Sequence, residues 1–242
     1  MRIFSGIDEA GLGPKIGSLF VVGVDVIGDL SGLKESKEIF RRNIKGYSYA
    51  ESLVLSSLAQ MGYEFTNLYG LFLKIFGKTD EIFKNVDIPA FGGEIIRLPF
   101  KVISLVPMRL EASKLRKNRF LEDAKAICKI ADGLKGNTVV AGLAGGFRDY
   151  GRFLKGWEVL ERGVYKKGEK ILRFERDVDK RYKEVALASL FAKYFRELEM
   201  LSLNRFLGFE NKIPKFSGYP SDKNTQTLIS LLKSKGLEHF IR

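Results

Sequence analysis

Two β-rich runs near the start of the chain, "RIFSGID" (residues 2–8) and "LFVVGVDVI" (residues 19–27), flank a turn that contains Gly11, Gly13 and Pro14. Ile, Phe and Val dominate both runs, and the glycines and proline punctuate the chain between them, so the pair reads as neighbouring strands. A chain that opens in this way must build layers around a sheet. The turn carries a difficulty of its own. In "GIDEAGLGP" (residues 6–14), Asp8 and Glu9 stand side by side where the first strand is expected to end. Adjacent carboxylates repel, and burying either costs free energy unless a cation or a proton balances it. Side chains alternate faces along a regular strand, so Asp8 and Glu9 share one site only if the backbone turns there. One then leads and the other supports it from the side.

The rest of the chain supplies elements to pack on such a sheet. A polar connection, "LKESKEIF" (33–40), leads to helical spacing over 48–76, marked by Val54, Leu55, Leu58, Leu68, Leu71, Phe72 and Ile75. "LPFKVISLV" (98–106) reads as a strand. "LRKNRFLEDAKAICKIADGL" (115–134) has the period of an amphipathic helix, with Leu121, Ala124, Ile127, Cys128 and Ala131 on one face. "NTVVAGL" (137–143) and "ILRFERD" (171–177) are expected strands. "YKEVALASLFAKYFRELEML" (182–201) is an expected helix, with Val185, Ala188, Ser189, Ala192 and Phe195 inward. After the turn "PKFSGYPSD" (214–222), Ser221 or Asp222 is expected to cap a last helix over 223–236. There is no repeat and no low-complexity linker. The order points to an α/β or α+β layered domain.

Composition narrows the chemistry. Lys and Arg number 41 against 29 acids, a net charge of +12. That charge suits a polyanion such as nucleic acid, because neutralised phosphates release counterions. A generic basic surface on a heat-adapted protein is the alternative. Cys128 is the only cysteine and His239 the only histidine. No disulfide framework, cysteine zinc site, or Ser–His or Cys–His mechanism can be built from them, and His239 reads as a surface residue. A reducing, cytoplasmic setting is expected, without a signal peptide. No membrane span is expected either, since Asp25 interrupts a short apolar run. What remains is a pair of carboxylates in a basic protein, the kind of oxygen donors that hold hard divalent cations for phosphodiester chemistry. The alternative is that Asp8 and Glu9 merely decorate a turn.

Four segments, in order, resemble type 2 ribonuclease H (ribonuclease HII). "GIDEAGLGPKIG" is similar to its N-terminal G-[IT]-D-E-[AV]-G-R-G-P-x-x-G, and "LKESKE" (33–38) to K-D-S-K-K-L, with Glu35 where Asp is usual. "DVDKRYKEVALASLFAKYFRE" (177–197) resembles D-x-x-Y-x-x-V-A-x-A-S-I-x-A-K-V-x-R-D, with Glu197 where that motif ends in Asp. "FSGYPSDKNT" (216–225) is similar to G-Y-P-[ST]. The resemblance covers about half the chain, at both ends. It implies a ribonuclease H-like α/β fold, a central mixed sheet flanked by helices, with a short helical C-terminal segment. Residues 1–203 would form the catalytic domain, with an unaligned insertion at about 41–97, and 204–242 the C-terminal segment.

Carried over, Asp8, Glu9 and Asp179 would be catalytic and would bind two Mg²⁺ or Mn²⁺ ions. Gly11 and Gly13 match a loop whose backbone reads the ribose 2′-hydroxyl, which suits glycine's close approach and the hydroxyl that distinguishes RNA from DNA. Tyr219 matches a tyrosine that stacks under the sugar. Lys15, Lys34, Ser36, Lys37, Ser189 and Lys193 would meet the nucleic acid, although each lysine alone reads equally as a solvated charge. The implied function is cleavage of the RNA strand of RNA/DNA hybrids, or 5′ of a ribonucleotide embedded in duplex DNA. Water would attack in line, leaving 3′-hydroxyl and 5′-phosphate ends. A monomer without membrane partners is expected.

One departure from the family matters most. A third acid is expected in V-[DE]-G at the end of the strand after the long helix, and here Ala141 or Gly142 stands in "NTVVAGL". A single Asp→Ala exchange and a natural loss both account for it. In the second case Asp149 or Asp132 could substitute, Asp132 reading better as a helix-end charge. Activity is therefore expected to be weakened or absent, and a non-catalytic nucleic-acid-binding protein on the same fold is the alternative. A lesser departure is Leu12, where the family loop carries a basic residue.

Overall fold

A computed structural model describes residues 2–41, 43–143 and 150–242. Asp149 lies outside the described residues. The strands are β1 (Phe4–Ala10), β2 (Leu19–Gly28), β3 (Phe100–Leu110), β4 (Thr138–Gly142), β5 (Glu158–Glu161), β6 (Val164–Lys167) and β7 (Lys170–Glu175). The helices are α1 (Ser36–Ile39), α2 (Ile44–Gln60), α3 (Leu68–Phe76), α4 (Ala112–Gly133), α5 (Val178–Arg181), α6 (Lys183–Phe206) and α7 (Thr225–Ser234). One mixed sheet has the order β3-β2-β1-β4-β7-β6-β5. Its two flanks, β3-β2-β1 and β7-β6-β5, are antiparallel, and β1, β4 and β7 run parallel at the centre.

The sheet separates two apolar layers. Phe20, Val22, Val24 and Val26 of β2 face a core shared with α2, α3, α6 and α7, while Leu19 and Val21 face α4. Both faces are thus covered, which is why β2 reads as a near-continuous apolar run interrupted by Asp25. Two glycines set how closely the helices approach. A Cβ on Gly6 would sit 2.5 Å from the Glu184 backbone at the start of α6, and one on Gly23 would sit 2.3 Å from the Ile130 side chain of α4. Phe216, Leu228, Leu232 and Phe240 of the C-terminal segment join the same core as α6.

Several expected elements change shape. The helical stretch over 48–76 is two helices. Gly62 takes φ +78° after α2, and the Asn67 side chain accepts from Gly70 N at 2.8 Å to start α3. α4 starts at Ala112 and kinks at Asn118, whose Oδ1 accepts from Leu121 N at 3.0 Å. α7 begins after Asn224 without a side-chain cap. Asp222, one of the two expected caps, accepts from Ser217 N at 2.9 Å and Asn224 N at 3.0 Å instead. The β5–β6 hairpin was not legible in the sequence, because only Tyr165 of its strand residues is buried and Val159 and Leu160 lie exposed.

Candidate active site

β1 continues through the acids to Ala10 and pairs with β2 along its whole length, Asp8 opposite Val22 and Glu9 opposite Val21. The backbone does not turn at the pair, contrary to the sequence expectation. Pairing with β4 stops at Ile7 opposite Ala141. The acids therefore lie where β1 and β4 part, at the carboxyl ends of the parallel strands, the crevice where open α/β sheets place their ligands.

Strand alternation sends the two carboxylates to different helices. Asp8 takes a hydrogen bond from Ser189 of α6 and lies within electrostatic range of Asp179 on α5. Burial raises its pKa to about 6, the Ser189 bond lowers it, and the charge of Asp179 raises it. Glu9 is driven well above the usual carboxylate range, first by burial, then by the charges of Asp123 and Asp8. Asp123 belongs to α4, is fully buried, and is pushed up to about 8 by burial and then by Asp8. Neither Asp123 oxygen nor Glu9 Oε2 has a hydrogen-bond partner among the described residues. Four carboxylates thus run in series: Asp179, Asp8, Glu9 and Asp123.

Basic and hydroxyl groups border the Asp8 end. Lys37 Nζ lies 3.9 Å from Asp179 Oδ2. Lys193, one helical turn after Ser189, is partly buried, and that burial lowers its pKa against the pull of Asp8. Ser36 and Ser189 hydroxyls are 2.9 Å apart. Lys34 is exposed in a hollow with Glu38, Arg41 and Lys45, outside this cluster.

The glycine turn and Tyr219 meet beside the acids. A Cβ on Gly13 would touch the Tyr219 ring at 3.2 Å, and the Arg196 guanidinium lies 5.0 Å from that ring. Gly11 has φ +104°, and a Cβ there would sit 2.6 Å from Ser18 O. The turn is stapled from three sides. Lys15 N donates to Gly218 O at 2.9 Å, and Arg242 Nη2 donates to Gly17 O at 2.9 Å. Ser18 N donates to Glu199 Oε2 at 2.6 Å, and Glu199 is paired with Arg109 at 2.8 Å. The sequence pattern does not single out Arg109, Arg196, Glu199 or Arg242. Their contacts span 90 residues or more in several cases, so local pattern carries no trace of them.

Of the two expected third-acid positions, Ala141 is fully buried in the α4-side core with Ile7. Gly142 borders the carboxylates: a Cβ there would lie 3.3 Å from Asp8 Oδ1 and 3.9 Å from Glu9 Oε2. Asp132 is remote from this point, accepting from Trp157 Nε1 at 3.1 Å and Lys167 Nζ at 2.7 Å. Among the described residues, no three His, Cys, Asp or Glu side chains already converge as a metal site. The donors nevertheless suit a hard cation in kind, being carboxylate oxygens, with Glu9 Oε2 buried and without a hydrogen-bond partner among the described residues. A larger hollow of about 750 Å³ opens at the opposite end of β1 and β4, between Arg2, Phe4, Lys135 and Tyr182, and contains none of these acids.

A family profile described as Ribonuclease HII matches residues 157–242. That span holds Asp179, Ser189, Lys193 and Tyr219, in the same cleft as Asp8. Over that span the chain resembles the ribonuclease HII family. Its fold extends the likeness to the N-terminal part. The ribonuclease HII of a PCNA:RNase HII complex from Archaeoglobus fulgidus is 18% identical, with a TM-score of 0.53 over 99% of this chain and 93% of that one. Ribonuclease H2 from Pyrococcus horikoshii is 16% identical, with a TM-score of 0.54 over 100% and 92%. No curated protein matches the chain significantly. The chain shares its fold with these ribonucleases and carries a glycine beside its carboxylates.

Proposed function

We propose that the chain is a divalent-cation-dependent ribonuclease H-type endonuclease of RNA/DNA hybrids or of ribonucleotides embedded in duplex DNA, with cleavage weakened by Gly142. The supporting observation is that Asp8, Asp179, Ser189 and Gly142 meet where β1 and β4 part, beside the Gly13–Tyr219 contact. Asp8, Glu9 and Asp179 would hold the Mg²⁺ or Mn²⁺ ions, which supply Lewis-acid stabilisation of the phosphate oxygens when bound. Lys37 and Lys193 balance the charge of a phosphate entering beside Asp8. Gly11 and Gly13 let the backbone reach a ribose 2′-hydroxyl, and Tyr219, held by Arg196, offers its ring to the sugar. Lys15, Arg116, Lys117, Arg119, Lys233 and Arg242 line an adjacent groove of about 580 Å³ that contains no acidic side chain, a suitable track for the duplex backbone. The protein acts as a cytoplasmic monomer in this reading, with residues 204–242 presenting Tyr219.

Gly142 favours a second reading, a hybrid-binding protein that no longer cuts. One experiment separates them: cleavage of duplex DNA carrying a single ribonucleotide, with Mg²⁺ and with Mn²⁺, by this chain and by Gly142→Asp. Cutting 5′ of the ribonucleotide, raised about tenfold or more by Gly142→Asp, is the expected result. Hybrid binding without cutting by either protein would establish the second reading.

A further inference from the structure

Asp123 has no structural occupation. It is fully buried, and among the described residues neither carboxylate oxygen accepts a hydrogen bond and no Lys or Arg pairs with it. The neighbours on its helix, Ala124, Ala126, Ile127 and Cys128, pack into the apolar layer under the sheet. A neutral side chain of similar size would be cheaper here, since an unpaired buried carboxylate is strongly destabilising unless something compensates it. The charged groups within range of it are Glu9 and Asp8, both acids. Glu9 answers with an orphaned oxygen of its own, Oε2, and this is the Glu9 oxygen that borders the Gly142 position. Both Asp123 oxygens and Glu9 Oε2 are thus buried acceptors with no donor among the described residues.

The position on α4 is built for this approach. Gly23 on β2 lets Ile130 come close to the strand, and the kink at Asn118 restarts the helix so that Asp123 follows in its next turn. The residue on β4 that borders Asp8 and Glu9 is glycine, so the sheet offers no third carboxylate. The helix beneath the sheet offers one.

We propose that Asp123 supplies, from α4, the ligand that Gly142 cannot, so that Asp8, Glu9 and Asp123 together bind one hard divalent cation. This rests on the cation-dependent reading above and changes its ligand set. The approach needed is a rotamer change at Glu9 and Asp123, because the three carboxylates do not converge in their present rotamers.

Mn²⁺ binding to the full-length, metal-free protein without nucleic acid, followed by electron paramagnetic resonance, tests it. The proteins are the wild type, Asp123→Asn, Gly142→Asp and the Asp123→Asn/Gly142→Asp double variant, each checked for folding by thermal denaturation. The expected result is wild-type binding, a loss of about tenfold to a hundredfold in Asp123→Asn, and recovery in the double variant, where the carboxylate has moved to β4. Equal binding by wild type and Asp123→Asn overturns the proposal and leaves the cation on Asp8, Glu9 and Asp179. Binding by Gly142→Asp but not by wild type also overturns it, while the nuclease scaffold stands. A lowered melting temperature in Asp123→Asn with no recovery in the double variant overturns it too, by making Asp123 structural. Absence of binding in all four proteins would remove the cation-dependent reading as well.

Discussion

At the scale of single residues, the proposed function turns on Gly142. Its Cβ position is open enough for a side chain, 3.3 Å from Asp8 Oδ1 and 3.6 Å from the Val178 methyl, so Gly142→Asp should fold. It adds a negative charge to Asp8 and Glu9, and like charges at this range disfavour ionisation of one another. The metal-free variant should therefore melt several degrees below wild type, and saturating Mn²⁺ should raise its melting temperature more than that of wild type, by mass action on the folded state. A variant whose melting is indifferent to Mn²⁺ would contradict this placement. Cys128 makes a simpler case. Burial, and then the charge of Asp132, push its thiol up to about 12. The thiolate is the reactive form, so at mildly alkaline pH Cys128 should react with a thiol reagent only once the chain is unfolded. Fast reaction in the native protein would show that the α4 layer opens. These residues also mark how far the sequence could be read. Asp8, Glu9 and Asp179 declare themselves by local motif, and the distance between Asp8 and Asp179 is closed by the parallel sheet. Asp123 does not declare itself, because on a helical wheel it is one acid among several, and only the fold shows that it points inward.

At the scale of elements, the site depends on how α6 sits on β1. Gly6 allows it: the α6 backbone at Glu184 and Val185 comes within 2.5 Å of where a Cβ would be. Gly6→Ala must push the helix away, and overpacking of this kind typically costs about 1–3 kcal/mol or more. The shift also carries Ser189 away from Asp8, so the loss of hybrid cleavage should exceed what the loss of stability explains. Gly32→Ala is the control, since no atom lies within 4 Å of its Cβ position and its φ is not in the left-handed region. It should stay within about 0.5 kcal/mol of wild type by chemical denaturation. Equal effects of the two substitutions would deny the close approach its role. The elements that carry strong periodicity, β1, β2, α4 and α6, were legible in the sequence. The division of α2 from α3 and the β5–β6 hairpin were not, because a left-handed glycine and an asparagine cap decide the first, and strands that bury only Tyr165 hide the second.

At the scale of the whole molecule, net charge and groove must act together. A charge of +12 spread evenly would attract any polyanion weakly, whereas a groove without acids beside the glycine turn gives the attraction a direction. Arg116 and Arg242 in that groove are already engaged with backbone carbonyls of the Glu238–Ile241 turn and the Leu12–Gly17 loop. Lys15, Lys117 and Lys233 form no ion pair among the described residues and remain for phosphates. Lys117→Glu combined with Lys233→Glu should therefore weaken binding to a hybrid and to plain duplex DNA to a similar extent. It should also flatten the dependence of log K on log salt by about 2, one for each phosphate that is no longer neutralised. Mn²⁺ binding should be unchanged, since neither lysine touches the carboxylates. Discrimination between hybrid and DNA should survive, because the proposed function assigns it to Gly11, Gly13 and Tyr219 and not to the groove. Titrating binding against salt for both duplexes measures all of this together. A substitution that abolished discrimination while leaving the salt slope intact would place the duplex on a different face, and with it the cleft between β1 and β4 would lose its approach.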